Sequence, residues 1–275
     1  MPFLKTETGI NLYYQEQGQG QPVVFIHGWP LNSEMWEYQL AELPKHGIRA
    51  IAYDRRGFGK SDRPYDSYDY DTLAADLNSV IEGLGLEAVT LVGFSMGGGE
   101  VIRYLTRYGN KRIARLALIS SVVPYVLQTA DNPDGVPKAM LDGFVKKIDD
   151  DRPAFLQEFG KIFYGQGLLK KPVSQAFLDW NQMLALQSSH KATVDCVRVF
   201  SETDFRSELP SIRLPALVIH GDADKTVPIA ATGQVASKLL PNATYNVYEG
   251  APHGVFYVEK DRLNSDLLTF IKAAR

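Results

Sequence analysis

Cysteine is almost missing from this chain: Cys196 is the only one among 275 residues. No intramolecular disulfide can close and no thiolate metal cluster can assemble, so the lone thiol is expected to be buried and inert. Long hydrophobic runs are missing too. Nowhere do about 18 apolar residues follow one another, as a bilayer-spanning helix requires, and residues 1–17 lack a charged-then-apolar signal design. A soluble, cytoplasmic protein with no membrane partner is expected. Nor is there an excess of one charge: 29 Lys and Arg face 32 Asp and Glu, for a net charge of −3, and the basic residues are scattered rather than clustered. That argues against nucleic acid or an anionic membrane surface as a partner. Repeats and low-complexity tracts are also absent. A hydrophobic fraction of 45% is ordinary for a globular protein and supplies a sizeable core.

Short apolar strands alternate with helical stretches through the first half. Strands are expected at residues 11–15, 23–27, 49–53 and 113–120, and helices at 34–45, 70–83 and 96–108. Gly18-Gln19-Gly20-Gln21 reads as a hairpin turn. This rhythm predicts an α/β fold with a mainly parallel sheet covered by helices on both faces. It breaks over residues 124–206, where only helical segments are legible, at 138–148, 153–163 and 174–186. Aromatic residues are frequent there, among them Tyr125, Phe144, Phe155, Phe159, Phe163, Tyr164, Phe177 and Trp180. The alternation resumes with strands at 216–220 and 244–248 and helices at 229–240 and 261–273. A helical insert, 124–206, is therefore expected to cap a core made of 1–123 and 207–275. Ligands of open parallel sheets bind at the carboxyl ends of the strands, and an aromatic roof there suits an apolar or aromatic small molecule.

The segment Gly93-Phe94-Ser95-Met96-Gly97 lies between the apolar run 88–92 and the helical spacing of 96–108. A strand turning sharply into a helix through G-x-S-x-G is a nucleophile elbow. Its turn forces Ser95 into a strained conformation, and side chains at Gly93 or Gly97 would collide with neighbouring backbone. The helix start offers unpaired N–H groups to a developing oxyanion. A serine hydroxyl needs a general base, and the base an orienting acid. In such sheets the acid and then the histidine follow the serine. Of the five histidines, only His253 follows a plausible acid loop, and Pro252 and Gly254 put it in a turn at a strand end. His220 reads as structural, and His46 and His190 as surface or cap residues. Asp222 and Asp224 both follow the strand 216–220, and spacing does not choose between them. Asp222 can instead act as a turn residue bonding loop N–H groups, while Glu249 is a weaker rival because it lies on the strand leading to His253. For the oxyanion hole, Met96 N–H is one expected donor. Trp29 N–H, in the loop after the strand 23–27, is the other, with His27 holding that loop rather than acting as a base.

Several segments are long enough to compare with known families. They include His27-Gly28-Trp29-Pro30-Leu31, Tyr53-Asp54-Arg55-Arg56-Gly57-Phe58-Gly59-Lys60-Ser61, Gly93 to Gly99, and Lys191-Ala192-Thr193-Val194-Asp195-Cys196. Thr203-Asp204-Phe205-Arg206, His220-Gly221-Asp222-Ala223-Asp224 and Ala251-Pro252-His253-Gly254 complete the set. Through them the chain resembles an α/β-hydrolase, and more closely the cofactor-free bacterial haloperoxidase (perhydrolase) and arylesterase group. The resemblance implies an eight-stranded sheet, Ser95 as nucleophile, Asp224 rather than Asp222 as acid, His253 as base, and oxyanion donors at Trp29 and Met96. It implies that Phe144 and Phe159 line the acyl pocket and that Val126 and Ile229 take two further pocket positions. The Arg55-Arg56-Gly57 segment is given no catalytic part. The implied reaction needs no cofactor. It is hydrolysis of small acyl or aryl esters, or perhydrolysis when hydrogen peroxide replaces water, from an ester or from a carboxylic acid plus peroxide. Pro30 fixes the backbone beside Trp29 and removes a donor, and is expected to aim the Trp29 carbonyl at bound peroxide. The resemblance also suggests a homo-oligomer. Lactonase, amidase, hydroxynitrile lyase or C–C hydrolase chemistry would use the same triad, and a low-turnover ligand sensor would keep the same pocket. Dehalogenase and epoxide hydrolase chemistry needs an aspartate at the elbow, which Ser95 excludes.

Overall fold

The computed structural model describes residues 2–273. Its strands are β1 (Phe3–Lys5), β2 (Asn11–Gln17), β3 (Gln21–Ile26), β4 (Ile48–Tyr53), β5 (Val89–Phe94), β6 (Ile113–Ile119), β7 (Ala216–Gly221) and β8 (Ala243–Tyr248). They form one eight-stranded sheet in the order β1-β2-β4-β3-β5-β6-β7-β8. β1 and β2 are antiparallel additions at one edge, and every pairing from β4 to β8 is parallel. β5 and β7 are buried along their whole length, as their unbroken apolar runs require for strands covered on both faces.

The helices are α1 (Glu37–Glu42), α2 (Tyr70–Gly83), α3 (Met96–Tyr108), α4 (Lys138–Phe163), α5 (Gln175–Leu186), α6 (His190–Glu202), α7 (Gly233–Leu239), α8 (Val255–Val258) and α9 (Lys260–Lys272). α2 packs on α3 and α1 on α9, while α4 packs against both α5 and α6. These last three all lie between β6 and β7 in the chain, within the stretch where no central strand was expected. α4 is interrupted at Asp151, whose φ of −159° and ψ of 84° are not helical. Pro153 follows, so the expected pair of helices, 138–148 and 153–163, corresponds to its two limbs.

Some expectations fail for physical reasons. The stretch 18–21 is not a hairpin turn, because β4 lies between β2 and β3 in the sheet. Gly20, at φ +110°, instead brings the chain against the Gly47 carbonyl, which accepts a hydrogen bond from Gln21 N–H at 3.1 Å. The helix expected at 34–45 is split into a 3₁₀ turn, the short α1 and a second 3₁₀ turn that contains Pro44. The helix expected from residue 229 begins at Gly233, because 229–232 form turns. α6 went unread; its Val and Thr content favours strand over helix, and Ser189 starts it by capping Ala192 N–H. β1, only three residues long, also escaped the pattern.

Candidate active site

The elbow forms at the end of β5. Ser95 sits at φ 52°, ψ −120°, between the last residue of the strand and the first of α3. A Cβ on Gly93 would come within 2.6 Å of the Gly97 carbonyl oxygen, and one on Gly97 within 2.5 Å of the Ile26 carbonyl oxygen. Both are closer than real Cβ atoms approach, so only glycine lets α3 and β3 close around the serine. Gly28 is held to the same standard from the other side, since a Cβ there would meet Phe94 at 2.6 Å and Ser95 Cβ at 3.0 Å. The loop after β3 therefore lies directly on the serine.

Ser95 Oγ is 3.1 Å from His253 Nε2, and His253 Nδ1 is 2.6 Å from Asp224 Oδ2. The chain between Ser95 and His253 spans three strands, so only the fold brings these groups together. His253 and Asp224 side chains are wholly buried and Ser95 nearly so. Phe163 meets the imidazole edge-on with centroids 4.7 Å apart, and Phe94 packs on it at 4.9 Å. Asp224 Oδ1 accepts N–H bonds from Thr226 at 2.8 Å and Val227 at 2.9 Å. Burial alone would push this carboxyl up, but the His253 charge, with the donors His220 and His253, outweighs it and holds Asp224 well below the ordinary carboxylate range. Asp222 takes the turn role: its Oδ1 accepts Gly250 N–H at 2.6 Å.

The loop after β3, which carries the candidate oxyanion donor Trp29, is anchored from three directions. Leu31 N–H closes a turn onto the Gly28 carbonyl at 3.0 Å, and the Trp29 indole N–H donates to the Thr193 carbonyl on α6 at 3.0 Å. His27 Nδ1–H donates to the Gly28 carbonyl at 2.9 Å, while its Nε2 accepts Arg55 N–H at 3.0 Å. Burial and the neighbouring Arg55 charge push His27 well below the usual imidazole range, which suits an acceptor nitrogen and a holding function. Among the described residues, Trp29 N–H has no hydrogen-bond acceptor. Met96 opens α3, where first-turn N–H groups have no intrahelical acceptor.

A cavity of about 610 Å³ opens onto Ser95 and His253. Phe144, Phe159 and Val126, the candidate pocket residues, line it. Ile229 does not; Val227 and Pro228 from the same loop stand there instead, because the turn after Asp224 points these residues inward. Phe155, which the sequence marks only as one of the many aromatics of this stretch, and Phe200, which it does not single out, also line the cavity. Phe155, Phe159 and Phe163 recur every four residues, and that spacing marks one helix face turned to the site. Tyr164 and Phe177 pack on each other and on Phe256 or Tyr257, outside the cavity. Cys196 is fully buried and its thiol is pushed up to about 12 by burial.

A strand-to-helix elbow, a following acid and histidine, and a helical insert over an eight-stranded sheet define a class that sequence comparison also reaches. The family model for the alpha/beta hydrolase fold matches residues 21–260. A non-heme chloroperoxidase of Kitasatospora aureofaciens is 41% identical over 98% of this chain and 99% of its own. A bifunctional esterase/perhydrolase of Acinetobacter calcoaceticus is 37% identical over 99% of this chain and 100% of its own. The crystal structure of a bromoperoxidase from Bacillus anthracis superposes with a TM-score of 0.96 at 43% identity, covering 99% of each chain. The chain belongs to the α/β-hydrolase family, in its non-heme haloperoxidase and esterase group, and is an enzyme of the hydrolase class. No described helix is long and apolar enough to cross a membrane.

Proposed function

We propose that this protein is a serine-dependent carboxylesterase for small acyl or aryl esters that also makes peracids when hydrogen peroxide is the acceptor. The observation that carries the reading is the unbroken contact from Ser95 Oγ through His253 to Asp224, at 3.1 Å and 2.6 Å, facing an apolar cavity. His253 Nε2 takes the Ser95 proton as Oγ attacks the ester carbonyl, and Trp29 and Met96 N–H groups receive the oxyanion. The C–O bond to the leaving alcohol, or to the hydroxyl that leaves as water when the donor is a carboxylic acid, breaks, and the proton on His253 goes to that oxygen. In the second half a water or hydrogen peroxide molecule gives its proton to His253 and its oxygen to the acyl carbon. Ser95 leaves, recovers the proton, and the product is an acid or a peracid. Residues 124–206 act as the cap that shapes the acyl site, with Phe144, Phe159 and Val126 as substrate contacts. The partners are a small ester, or a carboxylic acid with peroxide, and no cofactor takes part.

The test compares p-nitrophenyl acetate hydrolysis with peracetic acid formation from acetate and peroxide in wild type, Ser95→Ala and Pro30→Leu. Ser95→Ala is expected to lose about 10³-fold or more of both activities, and retention of both would sink the assignment. Pro30→Leu keeps hydrolysis and lowers the peracid share, because the Trp29 carbonyl is no longer fixed beside a residue without a donor. An unchanged partition would separate Pro30 from peroxide selection.

A further inference from the structure

Asp224 faces two imidazoles, and the mechanism uses only one. His220, the penultimate residue of β7, is fully buried, with Nε2 3.2 Å from Asp224 Oδ2 and 3.1 Å from the Val227 carbonyl oxygen. Two oxygens at one ring nitrogen require a proton between them, so His220 carries its proton on Nε2 and donates it into the Asp224–Val227 turn. Its Nδ1 is buried with no partner among the described residues, so a proton there would find no acceptor. Gly233 leaves room for this ring: a Cβ there would stand 2.7 Å from Nδ1. The turn it grips is the one in which Thr226 and Val227 N–H groups hold Asp224 Oδ1. His220 thus fixes the backbone of the acid loop and places the positive end of an N–H beside the same Oδ2 that receives His253.

We propose that His220 is a positioning residue for the candidate triad: it orients the Asp224 carboxylate toward His253 and tempers the negative charge that His253 meets. The proposal rests on the Ser95–His253–Asp224 reading. Removing the N–H would leave Oδ2 more negative and less well aimed. The first effect stabilises the imidazolium, so the acid limb of kcat/KM against pH moves to higher pH. The second lowers kcat and leaves KM alone, because His220 lies behind Asp224 and does not line the cavity. The ionisable groups on Asp224 are His220 from β7 and His253 from the loop after β8, and among the described residues no other charged side chain bonds it.

The experiment measures kcat, KM and pH profiles on p-nitrophenyl acetate for His220→Met, which fills the space without a donor, and His220→Gln, which keeps an N–H. His220→Met is expected to lose roughly 10- to 10²-fold in kcat with KM within about twofold and the acid limb displaced upward, and His220→Gln to recover most of both. Equal losses in the two variants with an unmoved pH profile would reduce His220 to packing and overturn the proposal. Should His220→Met fail to fold, ¹⁵N NMR of the wild-type histidines decides: a proton on His220 Nε2 supports it, and one on Nδ1 overturns it. Ser95→Ala, assayed in parallel, separates failure of the triad reading from failure of this one.

Discussion

Ser95 holds φ 52° in a residue with a side chain, a region that costs about 1–3 kcal/mol where nothing repays it. Here the repayment is aim, since the strain lifts Oγ out of the β5 pleat to meet His253. Asp224 carries the clearest pH consequence. Its folded carboxyl lies below the ordinary value of about 4, so the stability it contributes is complete above that value and is lost as pH falls through it toward the folded one. Urea midpoints of the wild type are therefore expected to drop on acidification from about pH 5 to pH 3, and to drop less in Asp224→Asn. A steeper drop in the variant would contradict the sign. The same variant loses about 10⁴-fold in kcat, the scale set by a wrongly held base in such triads. Spacing left Asp222 and Asp224 equal, because both follow β7 directly. They part only in three dimensions, where Asp222 accepts from Gly250 and Asp224 meets His253. His220 read as structural because a histidine before glycine at a strand end says nothing about which carboxylate it will face.

The proposed oxyanion donors, Trp29 and Met96 N–H, are carried by two different elements, the loop after β3 and the start of α3, and a buried ion pair ties those elements together. The Arg55 guanidinium, just beyond β4, meets Glu100 Oε2 of α3 at 2.6 Å and donates to the His27 carbonyl at 2.7 Å, with neither side chain exposed to solvent. Tyr53 O–H adds a bond to Glu100 Oε1 at 2.7 Å. Replacing one partner leaves a buried charge without compensation, which costs about 3–5 kcal/mol. Glu100→Gln is expected to lose that much in denaturant unfolding, with the remaining folded enzyme showing a lower kcat as the His27 loop loosens. A loss under about 1 kcal/mol would mean that Arg55 finds another acceptor. At this scale the sequence was read well where one signal dominated. α2 and α3 run over the residues expected, 70–83 and 96–108, because Asp69 caps the first and the elbow starts the second. It was read poorly where sheet order decides the connection, as between β2 and β3, since nothing local tells the chain that β4 will slip between them.

Across the whole molecule, the proposed function places substrate selectivity at the join between the sheet-end loops and the helices that lie between β6 and β7. The turns and loops after β5, β8 and β3 supply Ser95, His253 and Trp29, and the helices between β6 and β7 supply Phe144, Phe155, Phe159 and Phe200. Trp29 sits at the join, packing on Phe159 with centroids 5.2 Å apart and on Phe200 at 5.6 Å while its indole bonds α6. The insert was legible as an interruption in the strand rhythm and as an aromatic-rich stretch. Which aromatics face the serine was not, because that depends on how α4 bends at Asp151 and docks on α6. A cavity of about 610 Å³ lined this way holds far more than an acetyl group. Each methylene buried in it contributes about 0.8 kcal/mol, or about fourfold in kcat/KM. Across p-nitrophenyl esters from acetate upward, kcat/KM is therefore expected to climb by about that factor per methylene until the cavity is filled, chiefly through KM because the acyl chain is held alike in ground and transition states. Val126→Phe fills part of the cavity from the wall and should end the climb at a shorter chain while leaving acetate turnover near wild type. A flat series in the wild type would mean that the cavity does not bury the acyl chain, and the aromatic roof would then serve the leaving group instead.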